Sequence, residues 1–248
     1  MDSPFSLRGK RILVTGATSG IGRATAIQCS KMGADLILCG RRADAMKETI
    51  DSIGKESTLS FLCDLTDETV VADAVSNLPK LDGVVCNAGI VRSIVAKQTS
   101  MQNARELFEA NTLATMNLIQ QLLEHKKLNK NASIVFTSSM SGVYCGAIGG
   151  SAYGATKAAL TGYAKALALE LAPRGIRVNT VHPGMIKTPL FKDTALTQEQ
   201  FEADKANYPL GRYGTPDEVA YAIIYLLSDA TQWMTGSQLL LDGGYSVK

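Results

Sequence analysis

Cysteine and histidine are scarce in the sequence, and neither is grouped as a metal site or a disulfide framework requires. The 248 residues include five cysteines and two histidines. The cysteines are odd in number, widely spaced and contain no Cys-x-x-Cys pair, so we expect small buried hydrophobic side chains rather than disulfides or zinc ligands. His125 and His182 also lack ligand spacing. We therefore expect structural roles for both histidines and predict no metal site.

An excess of charge of one sign is also missing. The formal net charge is +2, with charged residues at 19% and hydrophobic residues at 46% of the chain. A strongly basic nucleic-acid-binding protein and an intrinsically disordered chain are therefore both disfavoured. A small-molecule partner fits this composition better.

Long hydrophobic runs are absent as well. The longest apolar stretch, Val219 to Leu227, is too short to span a bilayer, and Met1 to Lys10 contains no apolar signal-peptide core. We expect a cytoplasmic protein without a membrane partner. A chain of this length can form a single domain over residues 1–248 with a continuous core.

Short apolar runs alternate with longer helical patterns along the whole chain. Most of the runs are nearly continuously apolar, which is expected when helices cover both faces of a parallel sheet. The alternation predicts right-handed crossovers and an α/β fold with a doubly wound, seven-stranded parallel sheet. The predicted strands are Arg11–Thr15, Asp35–Cys39, Thr58–Leu62, Gly83–Cys86, Ser133–Thr137, Arg177–His182 and Ser237–Leu241.

Capping signals mark several helix ends. Thr215 to Glu218 and Thr99 to Gln102 each match a capping box, and Gly33 is expected to end the first helix. The alternation breaks over residues 184–214, where we predict a substrate loop with a short helix from Thr197. In this loop Phe191, Phe201 and Tyr208 suggest an apolar pocket wall or simple packing of the loop.

A glycine-rich segment lies where the first strand turns into the first helix. It reads Gly16-Ala17-Thr18-Ser19-Gly20-Ile21-Gly22. Residues without Cβ let the backbone approach a pyrophosphate, whose charge is favoured by the helix N-terminus. No Gly-Lys-Ser/Thr ending follows, which disfavours a P-loop. We predict dinucleotide binding here, with an ordinary glycine turn as the alternative. The predicted contacts are Gly16, Thr18, Ser19, Gly20, Ile21 and Gly22.

The end of the second predicted strand indicates which dinucleotide is bound. Gly40, Arg41 and Arg42 stand there, and the acidic residue that would bind a free ribose 2′-hydroxyl is missing. Arginine can instead grip a 2′-phosphate through paired hydrogen bonds. We predict NADP(H) as the cofactor, with two merely solvated arginines as the alternative.

Four short motifs follow one another along the chain. They are Thr15-Gly16-x-x-x-Gly20-x-Gly22, Asn87-Ala88-Gly89, Tyr153-x-x-x-Lys157 and Pro183-Gly184, and the chain ends near Leu241-Asp242-Gly243-Gly244-Tyr245. With them the chain resembles the short-chain dehydrogenase/reductase family over essentially its whole length, most closely in appearance the 3-oxoacyl-[acyl-carrier-protein] reductases. The resemblance implies a Rossmann-type fold and an NADP(H)-dependent oxidoreductase that interconverts a ketone and a secondary alcohol.

The resemblance also assigns further residues to the cofactor. It places Asn87, Ala88 and Gly89 beside the adenosine ribose, Asp64 with neighbouring Leu65 at the adenine, and Ile186 and Thr188 at the nicotinamide amide, with Pro183 and Gly184 preceding them. Cys86 stands where many relatives have asparagine. A structural hydrogen bond of the family is therefore expected to be missing.

Tyr153 and Lys157 are the predicted centre of the chemistry. Four residues apart in a predicted helix from Ser151 to Leu171, they project from one face. Lowering a tyrosine pKa from about 10 to neutrality takes about 4 kcal/mol. A lysine charge about 5 Å away supplies about 3 kcal/mol of this at an effective dielectric near ~20. We therefore expect Lys157 to depress the pKa of Tyr153.

Two more residues complete the predicted catalytic set. Ser138 and Ser139 follow a predicted strand at the carboxyl edge, where open α/β sheets bind ligands. By resemblance Ser139 orients the substrate carbonyl, with Ser138 and Ser141 as alternatives. Asn111, in the helical segment Met101 to His125, resembles the family's asparagine that holds a proton-relay water.

The expected partners are a small-molecule or carrier-bound ketone and further copies of this chain. A basic group formed by Lys126, Lys127, Lys130, Arg174 and Arg177 could meet an acidic carrier, or could simply be solvated. Gly154 and Gly162 lie inside a predicted helix, which suggests close packing within one subunit or between subunits. The family resemblance implies a homotetramer. Reductases of other ketones, sugars or sterols, and a non-catalytic NADP(H)-binding regulator, are the alternatives.

Overall fold

Strands and helices alternate along the chain in a computed structural model that describes residues 3–55, 58–189 and 197–248. The strands are β1 (Arg11–Thr15), β2 (Asp35–Gly40), β3 (Leu59–Leu62), β4 (Leu81–Cys86), β5 (Leu128–Thr137), β6 (Arg177–Pro183) and β7 (Gln238–Leu241). The α-helices are α1 (Gly20–Lys31), α2 (Ala43–Ile53), α3 (Glu68–Ser76), α4 (Met101–Phe108), α5 (Ala114–Glu124), α6 (Ser151–Leu171), α7 (Gln198–Lys205) and α8 (Pro216–Leu227).

All seven strands join one parallel sheet in the order β3-β2-β1-β4-β5-β6-β7. The predicted doubly wound α/β fold is therefore confirmed. The chain leaves β1 in one direction for β2 and β3 and in the other for β4 to β7. The carboxyl ends of β1 and β4 consequently flank the switch point at which such sheets bind ligands.

Each face of the sheet is covered by a hydrophobic layer. Leu13 points into one layer with residues of α3, α5 and α6, whereas its neighbours Ile12 and Val14 point into the other with residues of α1 and α8. Successive strand residues are thus all buried, which explains the continuous apolar runs. Four of the cysteines, Cys29, Cys39, Cys63 and Cys86, are buried in these layers as predicted.

The largest strand discrepancy is at β5, which begins five residues before the predicted Ser133. Leu128 pairs with Leu81 of β4, and the register then shifts between Leu81 and Gly83. The intervening Asn129 to Asn131 is polar, and Asn131 has a positive φ of 62°. An irregular, polar stretch of strand carries no apolar pattern, so the sequence did not reveal it.

Three of the four helix-end predictions are confirmed. Thr197 and Thr215 each cap a helix through a complete capping box. The box predicted at Thr99 is wrong, because the Thr99 hydroxyl donates to Ile94 and Val95 carbonyls and Ser100 caps α4 instead. Gly33 follows the end of α1 with a left-handed φ of 95°, as predicted.

The segment predicted as one helix from Met101 to His125 contains a π-helical turn. Glu109–Leu113 forms this turn between α4 and α5. Within the described residues no helix is long and apolar enough to cross a membrane. The π-turn matters for the site, because Asn111 lies in it.

Adjacent valines on α3 allow a test of the core. Val71 is 1% exposed and lies in the hydrophobic core, whereas Val70 is 41% exposed. We expect Val71→Ala to lower the free energy of unfolding by about 2 kcal/mol, since it removes two buried methyl groups. The matched variant Val70→Ala should change it by less than about 0.5 kcal/mol. Urea unfolding followed by circular dichroism measures both, and equal losses would contradict the packing described.

Candidate active site

The glycine-rich turn between β1 and α1 brings backbone segments into close contact. A Cβ on Gly22 would collide with the Gly16 carbonyl, and one on Gly16 would lie 3.0 Å from the Ala88 Cα. Ser19 precedes α1 without a side-chain cap. The Ser19 side chain therefore leaves the first N–H groups of α1 uncapped, as an anion-binding helix start requires.

The segment after β4 is fastened to this turn through Thr15. The backbone N–H groups of Asn87 and Ala88 donate to the Thr15 hydroxyl at 3.0 and 3.1 Å, and that hydroxyl donates to the Val85 carbonyl. Thr15 was quoted as part of a motif, but its role in joining two strand ends was not predicted. Its position directly before the glycines is the sequence signal for it.

The two arginines after β2 have different surroundings. Arg42 donates to the hydroxyls of Thr18 and Ser19 at 3.2 and 2.9 Å, so its guanidinium lies over the glycine-rich turn. Arg41 instead pairs with Asp64 at 3.4 Å. Hydrogen bonds from Thr66 are the largest contribution that lowers the pKa of Asp64, with Arg41 adding to them. Arg42 is therefore the better placed of the two for a phosphate.

Ser139, Tyr153 and Lys157 converge at the carboxyl edge of the sheet. The Ser139 hydroxyl faces the Tyr153 phenol closely enough to lower its pKa, and it accepts from the Ser141 backbone N–H at 3.1 Å. Ser138 points the other way, and its hydroxyl donates to the Lys157 carbonyl at 2.8 Å. The geometry therefore favours Ser139 over Ser138 and Ser141 as the hydroxyl that faces Tyr153.

Lys157 is buried beside Tyr153. Its ammonium donates to the Thr137 carbonyl at 2.9 Å and lies 6.0 Å from the centre of the Tyr153 ring. Burial lowers the pKa of Lys157 to about 8. The contribution of Thr137 was not predicted from the sequence.

The expected depression of the Tyr153 pKa is wrong for the protein chain alone. Desolvation raises the pKa of Tyr153, and the hydrogen bond from Ser139 opposes this rise. Removing a phenolate from water is costly, and this cost outweighs the opposing effect of Ser139. The phenol is therefore protonated at neutral pH.

Asn111 acts as a clamp at the back of the site. Its side-chain oxygen accepts from the Ile90 N–H at 2.7 Å, and its amide donates to the Ile90 carbonyl and the Thr156 hydroxyl at 3.0 Å each. The π-turn aims this side chain inward, as such turns often do at functional sites. Both N–H donors of the Asn111 amide are engaged, so a water at Asn111 would have to donate to one of its oxygens.

Gly89 lies so close to Asn111 and Lys157 that no side chain fits at this position. A Cβ there would lie 2.8 Å from the Asn111 Oδ1 and 3.4 Å from the Lys157 Nζ. Only glycine lets the segment after β4 pass this close to both. The sequence motif indicated Gly89 as a ribose contact but not this packing role.

The remaining predicted cofactor residues lie at the same edge with one qualification. Thr188 comes within 3.3 Å of a Cβ placed on Gly20, Gly184 lies against Asp242, and Ile186 pairs with Gly214. The side chains of Leu65 and Ile186 are buried in the core, so only the backbone of each could reach a cofactor.

The predicted substrate loop is described in part. Phe191 lies outside the described residues. Phe201 and Tyr208 both pack edge-on against Tyr213. Tyr208 also lines a cavity of about 190 Å³ together with Met185, Leu210 and Leu241. Among the loop aromatics, Tyr208 therefore supports the idea of an apolar pocket wall.

Most residues of the predicted basic group form hydrogen bonds within the protein. Lys127 donates to the Ser76 and Leu78 carbonyls, and Arg174 donates to the Leu128 carbonyl. Arg177 is buried and bonds Leu226, Ser228 and Thr231. Of this group, only the exposed Lys126 and Lys130 remain candidates for a surface that binds an acidic carrier.

The two histidines lie at different places in the fold and do not form a metal-binding pair. His125 caps the end of α5 on the surface, and His182 is buried at the end of β6. In the parts of the chain that the structure describes, no cluster of three or more His, Cys, Asp or Glu side chains could hold a metal ion.

Comparisons with known proteins agree with this geometry. A family model described as enoyl-(acyl carrier protein) reductase matches residues 16–246. The chain is 36% identical over 248 residues to a 3-oxoacyl-[acyl-carrier-protein] reductase of Thermotoga maritima, covering 96% of this chain and 98% of that protein.

Solved structures are similar over the whole chain. A short-chain type dehydrogenase/reductase from Mycobacterium marinum gives a TM-score of 0.89 at 33% identity, covering 98% of both chains. A dehydrogenase structure from Agrobacterium tumefaciens with bound NADP gives a TM-score of 0.89 at 30% identity and covers 100% of both chains.

The buried Lys157 makes stability depend on pH. Its pKa falls from 10.5 to about 8 on folding, so between these values the unfolded chain binds more protons and stability rises with pH. Relative to Lys157→Met, the wild-type free energy of unfolding should rise by about 3 kcal/mol from pH 8 to 10.5. Urea unfolding at a series of pH values measures this, with Lys31→Met as the exposed control. A difference that is constant over the window would contradict the burial of the ammonium.

Proposed function

Because the chain belongs to the short-chain dehydrogenase/reductase family, we propose that it is an NADP(H)-dependent oxidoreductase that interconverts a ketone and a secondary alcohol. The observation that carries the proposal is the convergence of Ser139, Tyr153 and Lys157 next to Gly89, in the segment that packs on the glycine-rich turn. The proposed substrate is a 3-oxoacyl group on an acyl carrier protein, as the name of the Thermotoga maritima relative suggests.

The proposed roles follow from the protonation states. Tyr153, a phenol at neutral pH, donates its proton to the ketone oxygen, and Ser139 hydrogen-bonds the same oxygen. When bound, NADPH supplies the hydride. Lys157, with a pKa of about 8, is mostly charged at pH 7 and stabilises the phenolate left behind. The protein is thus arranged for reduction, and in the reverse direction the phenolate would act as the base.

The cofactor site is proposed along the edge from β2 to β6. The N-terminus of α1 and the glycine-rich turn accept the pyrophosphate, and Arg42 binds the 2′-phosphate while Arg41 and Asp64 border the adenine. Asn87, Ala88 and Gly89 line the ribose, and Ile186 and Thr188 the nicotinamide amide. The NADP-bound Agrobacterium tumefaciens structure supports this choice of cofactor.

We further propose a cytoplasmic homotetramer that forms through α6. The glycine at position 154 is explained by packing within one subunit, because its backbone lies against Gly142. Gly162, in contrast, is exposed, and a Cβ there would meet nothing within 4 Å. An exposed small-residue position inside a helix suits close approach by another subunit. All five cysteines are free thiols, which fits a reducing compartment.

Oxidation of NADPH with an acetoacetyl thioester tests the reaction and the role of Tyr153 together. We expect wild-type turnover, and about a 10³-fold loss of kcat in Tyr153→Phe with unchanged NADPH affinity, because the proton donor is removed. Tyr163→Phe, ten residues along α6 and packed on Phe136, is the matched control and should keep full activity. Simple diketones and keto-sugars in the same assay test the alternative substrates. An active Tyr153→Phe variant would refute the proposed role of the phenol.

The assignment of Arg42 is tested by cofactor preference. We expect Arg42→Ala to raise KM for NADPH by about 10- to 100-fold, since a charge-assisted contact to the 2′-phosphate is lost, and to leave KM for NADH nearly unchanged. Arg41→Ala should have the smaller effect because Arg41 is paired with Asp64. Steady-state kinetics with both cofactors measure this. Equal weakening of NADPH and NADH use would count against Arg42.

A further inference from the structure

A buried histidine lies directly behind the candidate active site. His182, near the end of β6, is fully buried. Its Nδ1 is 3.0 Å from the backbone carbonyl oxygen of Ser139, and its Nε2 is 2.7 Å from the Thr180 hydroxyl. The ring of Tyr144 packs edge-on against it at 5.2 Å between centroids. The imidazole is thus fixed on three sides, next to the residue whose hydroxyl faces Tyr153.

These partners determine which ring nitrogen carries the proton. A carbonyl oxygen can only accept, so the Nδ1 of His182 must be the donor to Ser139. In the neutral ring Nε2 is then an acceptor, and the Thr180 hydroxyl donates to it. The other acceptor available to that hydroxyl, the Ser237 carbonyl, is farther away at 3.4 Å. The ring is therefore held as the neutral Nδ1–H tautomer.

Burial agrees with a neutral ring. Desolvation lowers the pKa of His182, the hydrogen bond with the Ser139 backbone opposes this, and the charge of Lys165 adds to the lowering. The imidazole is accordingly neutral at the pH at which a cytoplasmic enzyme works.

The backbone explains why a side chain is needed here. Beyond β5 the ladder continues as the Ser138 N–H donates to the Val181 carbonyl and the Met140 N–H to the Pro183 carbonyl. Pro183 has no N–H, so β6 makes no ladder bond to the Ser138 carbonyl here. The ring of His182 adds a donor at this gap in the ladder, and it reaches the next carbonyl along the chain, that of Ser139.

We propose that His182 is a positioning residue for ketone reduction, whose Nδ1–H holds the Ser139 backbone so that the Ser139 hydroxyl points at Tyr153. This rests on the function proposed above for Ser139 and Tyr153. His182 touches neither substrate nor cofactor in this role. It acts through the peptide of Ser139, where a small displacement would misdirect the hydroxyl that orients the carbonyl.

Nitrogen-15 NMR of histidine-labelled protein tests the geometry without any substrate. The chain has two histidines, so the variant His125→Gln assigns both sets of ring signals. We expect His182 to show a protonated Nδ1 and an unprotonated Nε2. A protonated Nε2 with an unprotonated Nδ1 would overturn the proposal, because the ring could then not donate to Ser139.

Three substitutions separate positioning from packing. In His182→Asn the amide nitrogen takes the place of Nδ1 and can still donate to Ser139. His182→Leu has a similar shape without a donor, and His182→Gln places its amide near the position of Nε2. We expect kcat to fall about 10- to 100-fold in the Leu and Gln variants and to be largely retained in the Asn variant. The dissociation constant for NADPH should stay within about threefold in all of them.

The outcomes distinguish this proposal from the function on which it rests. A wild-type protein that reduces neither the thioester, diketones nor keto-sugars overturns the proposed function, while the tautomer still reports the hydrogen bond. Given an active wild type, an unchanged kcat in His182→Leu overturns the positioning role. Equal losses in His182→Asn and His182→Leu also overturn it, because the donor would then be irrelevant.

Discussion

The buried ammonium of Lys157, hydrogen-bonded to the Thr137 carbonyl at 2.9 Å, is the interaction around which the site is built. It ties the middle of α6 to the last residue of β5. Burying an ammonium costs free energy unless polar atoms surround it. The neighbouring segments must therefore bring oxygen atoms close to it and exclude bulky side chains. Gly89 passes within contact of it because it has no Cβ, and Ser138 anchors the Lys157 carbonyl from below. The end of β5 and the segment after β4 thus both contact this one buried charge.

The same burial sets the resting protonation states of the two groups. Desolvation raises the pKa of Tyr153 and lowers that of Lys157, so both shifts disfavour the charged form of each group. At neutral pH the proton therefore stays on the phenol, which suits donation to a ketone oxygen. A tyrosine with a strongly depressed pKa would instead be poised as a base for alcohol oxidation. The charge on Lys157 becomes most useful after the proton has left, when it faces a phenolate in a medium of low dielectric.

The sequence predicted the architecture well and the electrostatics poorly, for a physical reason. Continuous apolar runs follow from burial on both faces of the sheet, and this periodicity is local, so all seven strands could be located. The start of β5 was missed because Asn129 to Asn131 is polar and irregular. Arg41 and Arg42 are adjacent in sequence, and they differ only in their folded surroundings, where Arg41 pairs with Asp64 and Arg42 lies over the glycine-rich turn. The pKa of Tyr153 was misjudged because desolvation depends on residues far apart in the chain.

Polar side chains in this site repeatedly substitute for missing backbone pairing. Thr15 joins the ends of β1 and β4, Asn111 clamps Ile90 and Thr156 from a π-turn, and His182 holds Ser139 beside a proline that cannot donate. Each lies where a strand or helix ends and regular hydrogen bonding stops, which is also where ligands bind in such sheets. Backbone geometry at a catalytic edge cannot be maintained by the sheet ladder alone. In this protein the backbone groups at that edge are therefore held by buried polar side chains just behind the reacting groups.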